Sequence, residues 1–355
     1  MGQRVTIKDI AEIAKVSIGT VHCALTGKPG VGEEMRRNIQ EIAKRQGYRA
    51  NSVASSLKRK TIKIAAAFPG STDENRFYYS YAWEGFRDYL ETVSDFNIES
   101  IEVPFYGDSN QTEELSSLLQ RVEVDGLLTL GYVDVHGRVS IQPYVEQKIP
   151  VVLFANDIPL SGRMCCVLPN FHMTGRMLAE LLMRQIHGDG DILFCAGDPI
   201  IPSHYQIVQG FDEFAKEHGI KSKSVKIYTS SDHENTKLRI QNELLNRKNI
   251  AACFSISART SVILGNALRE TGLAGKVLAI GSDIFEESVQ FLKSGVFTNL
   301  ICKNPYMQTY LASKFLVEYL LRDIRPASDS IYVGSEIVFQ SNVSMFENGL
   351  YRFMI

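Results

Sequence analysis

From Thr61 onward, short apolar runs alternate with amphipathic stretches. IKIAAAF, IESIEVPFY, GLLTLG, IPVVLFA, DILFCAG, SVKIYTS, AACFSIS and KVLAIGS read as strands. Runs this apolar suit strands buried on both faces, as in a parallel sheet covered by helices. Residues 79–93, 113–121 and about 172–187 carry helical spacing between them. The alternation predicts an α/β body over 61–355, with two doubly wound lobes and parallel sheets. The first lobe is expected over about 61–160 plus part of 295–325. The second is expected over about 161–290 plus about 326–355. In such folds a ligand crevice lies beyond the carboxyl ends of the strands.

Before Thr61 the period is helical and the segments are short. Thr6 reads as an N-cap, with Asp9 completing a capping box, and Ile10, Ile13 and Ala14 form one apolar face. Lys15–Val16 makes a turn, and Ser17 caps a second helix that turns Val21, Ala24 and Leu25 inward. Thr26-Gly27-Lys28-Pro29-Gly30 ends it. A third helix over about 33–46 would bury Met35, Ile39, Ile42 and Ala43, with Gly47 as its C-cap. Residues 1–50 therefore predict an all-α helix-turn-helix head whose second helix enters the major groove. Ile18, Gly19, His22 and Cys23 would meet base edges, Ile18 by contact with a thymine methyl. Ser17, Thr20 and Lys28 would hold phosphates. Residues 51–60 form a hinge helix and linker. Its helix, NSVASSL, is too short to stand alone in water and is rich in serine, so it would form on DNA and melt off it.

Charge separates the head from the body. The formal net charge of the 355 residues is −2, but residues 1–63 carry +8 and the remainder −10. A basic head on an acidic body fits a polyanion partner for the head alone. Composition is that of an ordinary globular protein, 45% hydrophobic and 22% charged. The 6 cysteines show no CxxC pair and the 7 histidines no ligand spacing, so neither a metal nor a cofactor is expected. The N-terminus has no signal-peptide pattern and no run approaches 18 apolar residues, which makes the cytoplasm the default and a membrane partner unexpected. GxSxG, the P-loop and HExxH are absent, so no catalytic residue is assigned. Asp157 and Asp283 could form an acid/base pair across a cleft, which keeps a sugar-processing enzyme as an alternative. A sugar-binding protein without a DNA role is the other.

The polar and aromatic residues that follow the strands are the candidate ligand set. They are Asn75, Arg76, Phe77 and Tyr78 after the first strand, then Asn156 and Asp157. His204, Tyr205 and Gln206, then Ser257, Asp283, Lys303 and Asn304, come from the second half. Aromatic rings with amides and carboxylates suit a polyhydroxylated solute, which stacks its apolar face and hydrogen-bonds its hydroxyls.

The stretch TIKDIAEIAKVSIGTVHCALTGKPGVGEEMRRNIQEIAKRQGYRANSVASSLKRK resembles the head of the lactose/galactose-repressor family of bacterial transcription regulators. Thr6, Asp9, Ala11, Ala14, Val16, Ser17, Thr20, Val21, Gly47-Tyr48, Asn51, Ala54 and Leu57 carry the resemblance. It implies that Asn51, Ala54 and Leu57 act in the hinge, with Leu57 prying a base step from the minor groove. The family usually places Ser-Arg where His22-Cys23 stand. VDGLLTLG, IPVVLFANDIP, HMTGRMLAELLM, QGFDEF, VLAIGSD and NLICKNPYMQTYLASKFL resemble the periplasmic sugar-binding fold of the same family. That implies a sugar or polyol-like effector beside Phe77 and Tyr78. Asp157 or Asn156 would bind hydroxyls from the first lobe and Asp283 from the second. Two departures are Tyr205, where an arginine is usual, and Lys303, where a glutamine is usual. Lys303 tilts the expectation toward a negatively charged group on the effector. The resemblance also implies a homodimer on a pseudo-palindromic double-stranded operator, acting as a repressor.

A head with this charge predicts strongly salt-dependent DNA binding. Lys8, Lys28, Arg36, Arg37, Arg49, Lys58, Arg59 and Lys60 are the expected phosphate partners. With roughly six phosphates met per dimer, log affinity falls against log salt with a slope of about −5, read by fluorescence anisotropy. A flat profile would exclude the nucleic-acid role.

Overall fold

The computed structural model describes residues 5, 7–27, 29–46, 61–106, 111–134, 136–186, 190–229 and 232–347. The chain divides into two units, the head with residues 93–97 and the body.

The head holds α1 (Ile7–Ala14), α2 (Ile18–Thr26) and α3 (Glu33–Arg45). Lys15, at φ 54, turns the chain between α1 and α2. Ser17 caps α2 by accepting a hydrogen bond from Thr20 N at 3.1 Å, and Gly27, at φ 74, closes its far end. Ile10, Ala11, Val21, Ala24, Ile39 and Ala43 form the core. Two expected core residues lie outside it. Ile13 is 48% exposed and Met35 is 39% exposed. The buried face of α1 centres between Ile10 and Ala11, which puts Ile13 on its margin, and Met35 sits in the first turn of α3. Arg36, expected on phosphate, instead donates to the carbonyls of Cys23 at 3.0 Å and Ala24 at 3.4 Å, satisfying the end of α2. The expected caps Thr6 and Gly47 lie outside the described residues, as does the hinge.

The body opens with β1 (Ile62–Pro69), a 3-10 turn at Asp73–Asn75 and α4 (Arg76–Thr92). It continues through β2 (Ile98–Phe105), α5 (Gln111–Arg121), β3 (Gly126–Leu130), α6 (Gln142–Glu146), β4 (Val151–Phe154) and β5 (Cys165–Pro169). Then come α7 (Phe171–Gln185), β6 (Asp191–Gly197), α8 (Pro202–Glu217), β7 (Ser224–Tyr228), α9 (His233–Asn246) and β8 (Ile250–Ser255). The rest is α10 (Ala258–Glu270), β9 (Leu278–Ser282), α11 (Glu286–Lys293), β10 (Asn299–Cys302), α12 (Pro305–Arg322), β11 (Ser330–Val333), β12 (Glu336–Val338) and α13 (Val343–Glu347).

These strands make two sheets, β11-β5-β4-β3-β1-β2 and β12-β10-β9-β8-β6-β7. The first is parallel throughout, and in the second only β12 runs antiparallel. Central β3 and β4 are buried at every residue, whereas edge strand β2 has only half-buried and exposed positions. The lobe limits differ from those expected. β5 belongs to the first sheet, so the first lobe runs to Pro169 rather than about 160. β10 belongs to the second sheet and β11 to the first. Pairing decides this: Cys165–Val167 bond to β4, a partner that apolarity alone does not name.

The chain thus passes between lobes after β5, after β10 and between β11 and β12. After β10 it turns on Asn304, an αL residue at φ 51 whose Oδ1 accepts from Met307 N at 3.1 Å and caps α12. Helix α12 then returns to the first lobe, where the Tyr306 hydroxyl donates to Asp88 on α4 at 2.8 Å and Thr309 to the Ala82 carbonyl at 2.7 Å.

Helices α7 and α8 cross at two glycines. A Cβ on Gly175 would fall 2.0 Å from the Ile207 carbonyl oxygen, and one on Gly210 2.0 Å from that of His172. Gly175→Ala should therefore destabilise the body by about 1–3 kcal/mol in urea denaturation, because backbone must move apart. Gly334→Ala meets open space and should stay within about 0.5 kcal/mol of wild type.

Candidate functional site

The N-terminal end of α2 offers an exposed surface on the head. Ile18, 45% exposed, lies beside exposed Gly19 and His22, with Cys23 half-buried behind them. Ser17 Oγ also lies 2.8 Å from Thr20 Oγ1, so both hydroxyls are held in place at the helix start. A helix N-terminus with backbone N–H groups presented outward suits a phosphate. Thr6, Lys28, Asn51, Ala54 and Leu57 lie outside the described residues.

In the body, a cavity of about 390 Å³ opens between the lobes at the carboxyl ends of the strands. The first turn of α4 brings Tyr78 and Tyr79 to its wall, and the loop after β4 brings Asn156. From the second lobe come Asp198, His204, Ser257, Arg259, Asp283 and Lys303. Its volume is in the range of small-molecule pockets and fits a monosaccharide-sized solute.

Six of the nine residues expected to bind effector line this cavity: Asn75, Tyr78, Asn156, Ser257, Asp283 and Lys303. Asn75 accepts from Arg259 Nη2 at 3.2 Å, and Tyr78 exchanges hydrogen bonds with Gln308 at 3.0 and 3.3 Å. Ser257 caps α10. Asn156 keeps a buried Oδ1 with no hydrogen-bond partner, an acceptor that costs free energy until a donor arrives.

Three expectations fail. Phe77 is buried against Phe285, with ring centroids 4.7 Å apart, and fastens the two lobes together instead of facing the cavity. Asp157 forms a two-pronged ion pair with Arg163, one arm at 2.5 Å, away from the cavity. Tyr205 is 59% exposed on the outer side of α8. Helical spacing explains the last. Ile207, Gly210 and Phe211 set the inner face of α8, and His204, three residues before Ile207, continues it. The acid/base pair that Asp157 and Asp283 could have formed is not assembled.

Lys303 does not present a free charge. Its Nζ donates to Asp283 Oδ2 at 2.6 Å, to the Ile256 carbonyl at 3.1 Å and to Ser282 Oγ. Asp283 is 1% exposed and sits at φ 66, an αL carboxylate held by this bond and by Ser282 Oγ at 3.0 Å. The expectation of an anion-seeking lysine is therefore overturned: three donors meet three acceptors.

Three wall residues, Arg259, Tyr79 and Asp198, were not assigned from the sequence, and His204, which was a candidate, stands beside them. Arg259 pairs with Glu74 at 2.8 Å across the lobes, as Arg76 does with Glu287 at 2.5 Å nearby. Burial pushes the Tyr79 hydroxyl up to about 12. Asp198 holds Ile200 N at 2.9 Å through Oδ1, and its own N–H donates to His204 Nδ1 at 3.0 Å. That bond fixes the His204 proton on Nε2. Burial, then the charge of Lys303, lowers His204 from 6.5 to about 4. Among the described residues no group of three or more His, Cys, Asp or Glu is placed to hold a metal.

The His204 shift has a stability consequence. Above its ordinary value of 6.5 the imidazole is neutral in folded and unfolded chains alike. As pH falls toward 4 the unfolded chain binds a proton that the folded chain refuses, so stability falls, by about 3 kcal/mol at the acid end. Thermal melts of His204→Gln should lose that part of the acid slope while keeping the rest.

Sequence comparison agrees with this geometry. Residues 6–51 match the family described as bacterial regulatory proteins, lacI family, and residues 137–322 match the periplasmic binding protein domain. Catabolite control protein A of Staphylococcus xylosus is 26% identical over 273 residues, covering 76% of this chain and 78% of that one. The same-named protein of Priestia megaterium is 29% identical over 225 residues, covering 61% and 62%. Among solved structures, GanP, a glucose-galactose binding protein from Geobacillus stearothermophilus, superposes with a TM-score of 0.68 at 18% identity, over 80% of this chain and 99% of that one. A periplasmic solute binding protein from Actinobacillus succinogenes with bound D-allose gives 0.69 at 18% identity, with the same coverage. These structures share the fold of the body. The chain joins a helix-turn-helix head of the lacI family of bacterial regulatory proteins to a body that belongs to the periplasmic binding protein domain family.

Proposed function

We propose that this DNA-binding regulator is a repressor controlled by a small hydroxylated effector in the interlobe cavity. The observation that carries the reading is the cavity itself, about 390 Å³ between two lobes, on a chain that also carries the helix-turn-helix. Ile18, Gly19, His22 and Cys23 read base edges, and Thr6, Ser17, Thr20 and Lys28 hold phosphates. Asn51, Ala54 and Leu57 act in the minor groove as a hinge. A homodimer carries two heads to the two halves of a pseudo-palindromic operator, in the cytoplasm where the chromosome lies.

Control follows from contacts that hold the lobes together at the cavity: Arg259 to Glu74, Arg76 to Glu287, and Phe77 to Phe285. An effector touching both walls favours the closed arrangement by its differential affinity for it. Strand β1 starts at Ile62, close behind the hinge segment 51–60, and in this reading lobe movement sets whether that short segment folds on DNA.

Thermal-shift screening of hexoses, pentoses, polyols and their amino and phosphate derivatives tests the reading. A true effector at 100 times its Kd adds about 2.7 kcal/mol of stability. Asn156→Ala should weaken it about tenfold, or about 1.4 kcal/mol, by removing the unpartnered acceptor. It should leave operator affinity unchanged without effector, measured by mobility shift on duplexes selected from a random pool. A panel with no stabilising compound would refute effector control through this cavity.

A further inference from the structure

The cavity's charges cancel in pairs and leave one carboxylate over. Glu74 is matched by Arg259 at 2.8 Å and Asp283 by Lys303 at 2.6 Å. The Lys303 ammonium has all three hydrogens committed to protein acceptors, so none reaches a ligand anion. His204 lines the wall as a neutral imidazole with Nε2–H as donor. Asp198 remains. Its Oδ1 accepts from Ile200 N, and among the described residues no basic side chain pairs with it. Asn156 adds a buried acceptor lacking a donor, and Tyr78 and Tyr79 add ring faces, which attract cations.

We propose that the effector is a hydroxylated monocation, an amino sugar in its ammonium form, with Asp198 as the residue that selects its charge. The proposal rests on the cavity being the effector site. An ammonium at Asp198 gains a charge-assisted hydrogen bond in a partly desolvated wall. A phosphate or carboxylate there would face an unpaired carboxylate in a wall whose charges sum to an excess of one negative, with no hydrogen offered by Lys303. Neutral hydroxyls would bond to Asn156 and His204 but leave the Asp198 charge uncompensated.

Matched ligands separate the possibilities. Titration calorimetry on the full-length protein would compare glucosamine, galactosamine and mannosamine with glucose, galactose and mannose, and with the three hexose 6-phosphates. At least one amino sugar should bind about tenfold or more tightly than its parent hexose, and the phosphate more weakly than either. The gap should narrow as salt rises. Asp198→Asn keeps an acceptor for Ile200 N and should bring amino sugar and parent to equal affinity; circular dichroism would confirm that the variant is folded. Equal affinities in the wild type, or a phosphate that binds more tightly, would overturn the charge assignment and leave effector control standing. Binding by none of these, with no hit in the wider screen, would overturn both.

Discussion

The salt bridge between Asp283 and Lys303 sets the terms for the body. Both residues are buried, and the lysine stands at the end of β10, one residue before the chain turns on Asn304 toward the first lobe. Removing two charges from water is costly, and the cost is recovered only when the remaining donors and acceptors are also satisfied. Here Ser282 and the Ile256 carbonyl complete the lysine, and the Ser282 hydroxyl completes the carboxylate. The arrangement ties the ends of β8, β9 and β10 together at the cavity floor. It also holds Asp283 in a left-handed conformation that few non-glycine residues adopt.

That floor and the interlobe contacts around it share a single physical logic. Contacts that span the lobes are concentrated in the segment from Glu74 to Phe77. They include two ion pairs, an aromatic contact and the hydrogen bond from Arg259 to Asn75. Exposed ion pairs contribute little individually, whereas the buried rings of Phe77 and Phe285 keep apolar area from water. Closure is therefore held mainly by a small apolar contact, with ion pairs giving direction.

The sequence shows the frame clearly because its signals are local. Ser17 and Gly27 mark the ends of α2 by chemistry that acts over three or four residues. Strands such as VVLF and GLLTL are apolar throughout because both faces are covered. The same signals fail at margins. CCVLP looks like any strand, and only pairing with β4 assigns it to the first lobe. Ile13 and Met35 have core chemistry, yet three short helices cannot cover them.

The cavity wall shows where sequence reading ends. Asp157 and Asp283 at strand ends were visible from the chain alone, and so were Tyr78 and Asn156. Which carboxylate stays available was not visible, because that depends on cations brought close by the fold. Asp157 is taken by Arg163, Asp283 by Lys303 and Glu74 by Arg259, the last from the opposite lobe. Asp198 is left facing the cavity for the same reason. The sequence by itself determined the head, the alternation of strands and helices, and the cleft at the strand ends, since each follows from periodicity and capping within a few residues. Only the tertiary structure decided the charge of the cleft, since Coulomb pairing depends on distance in space and not along the chain.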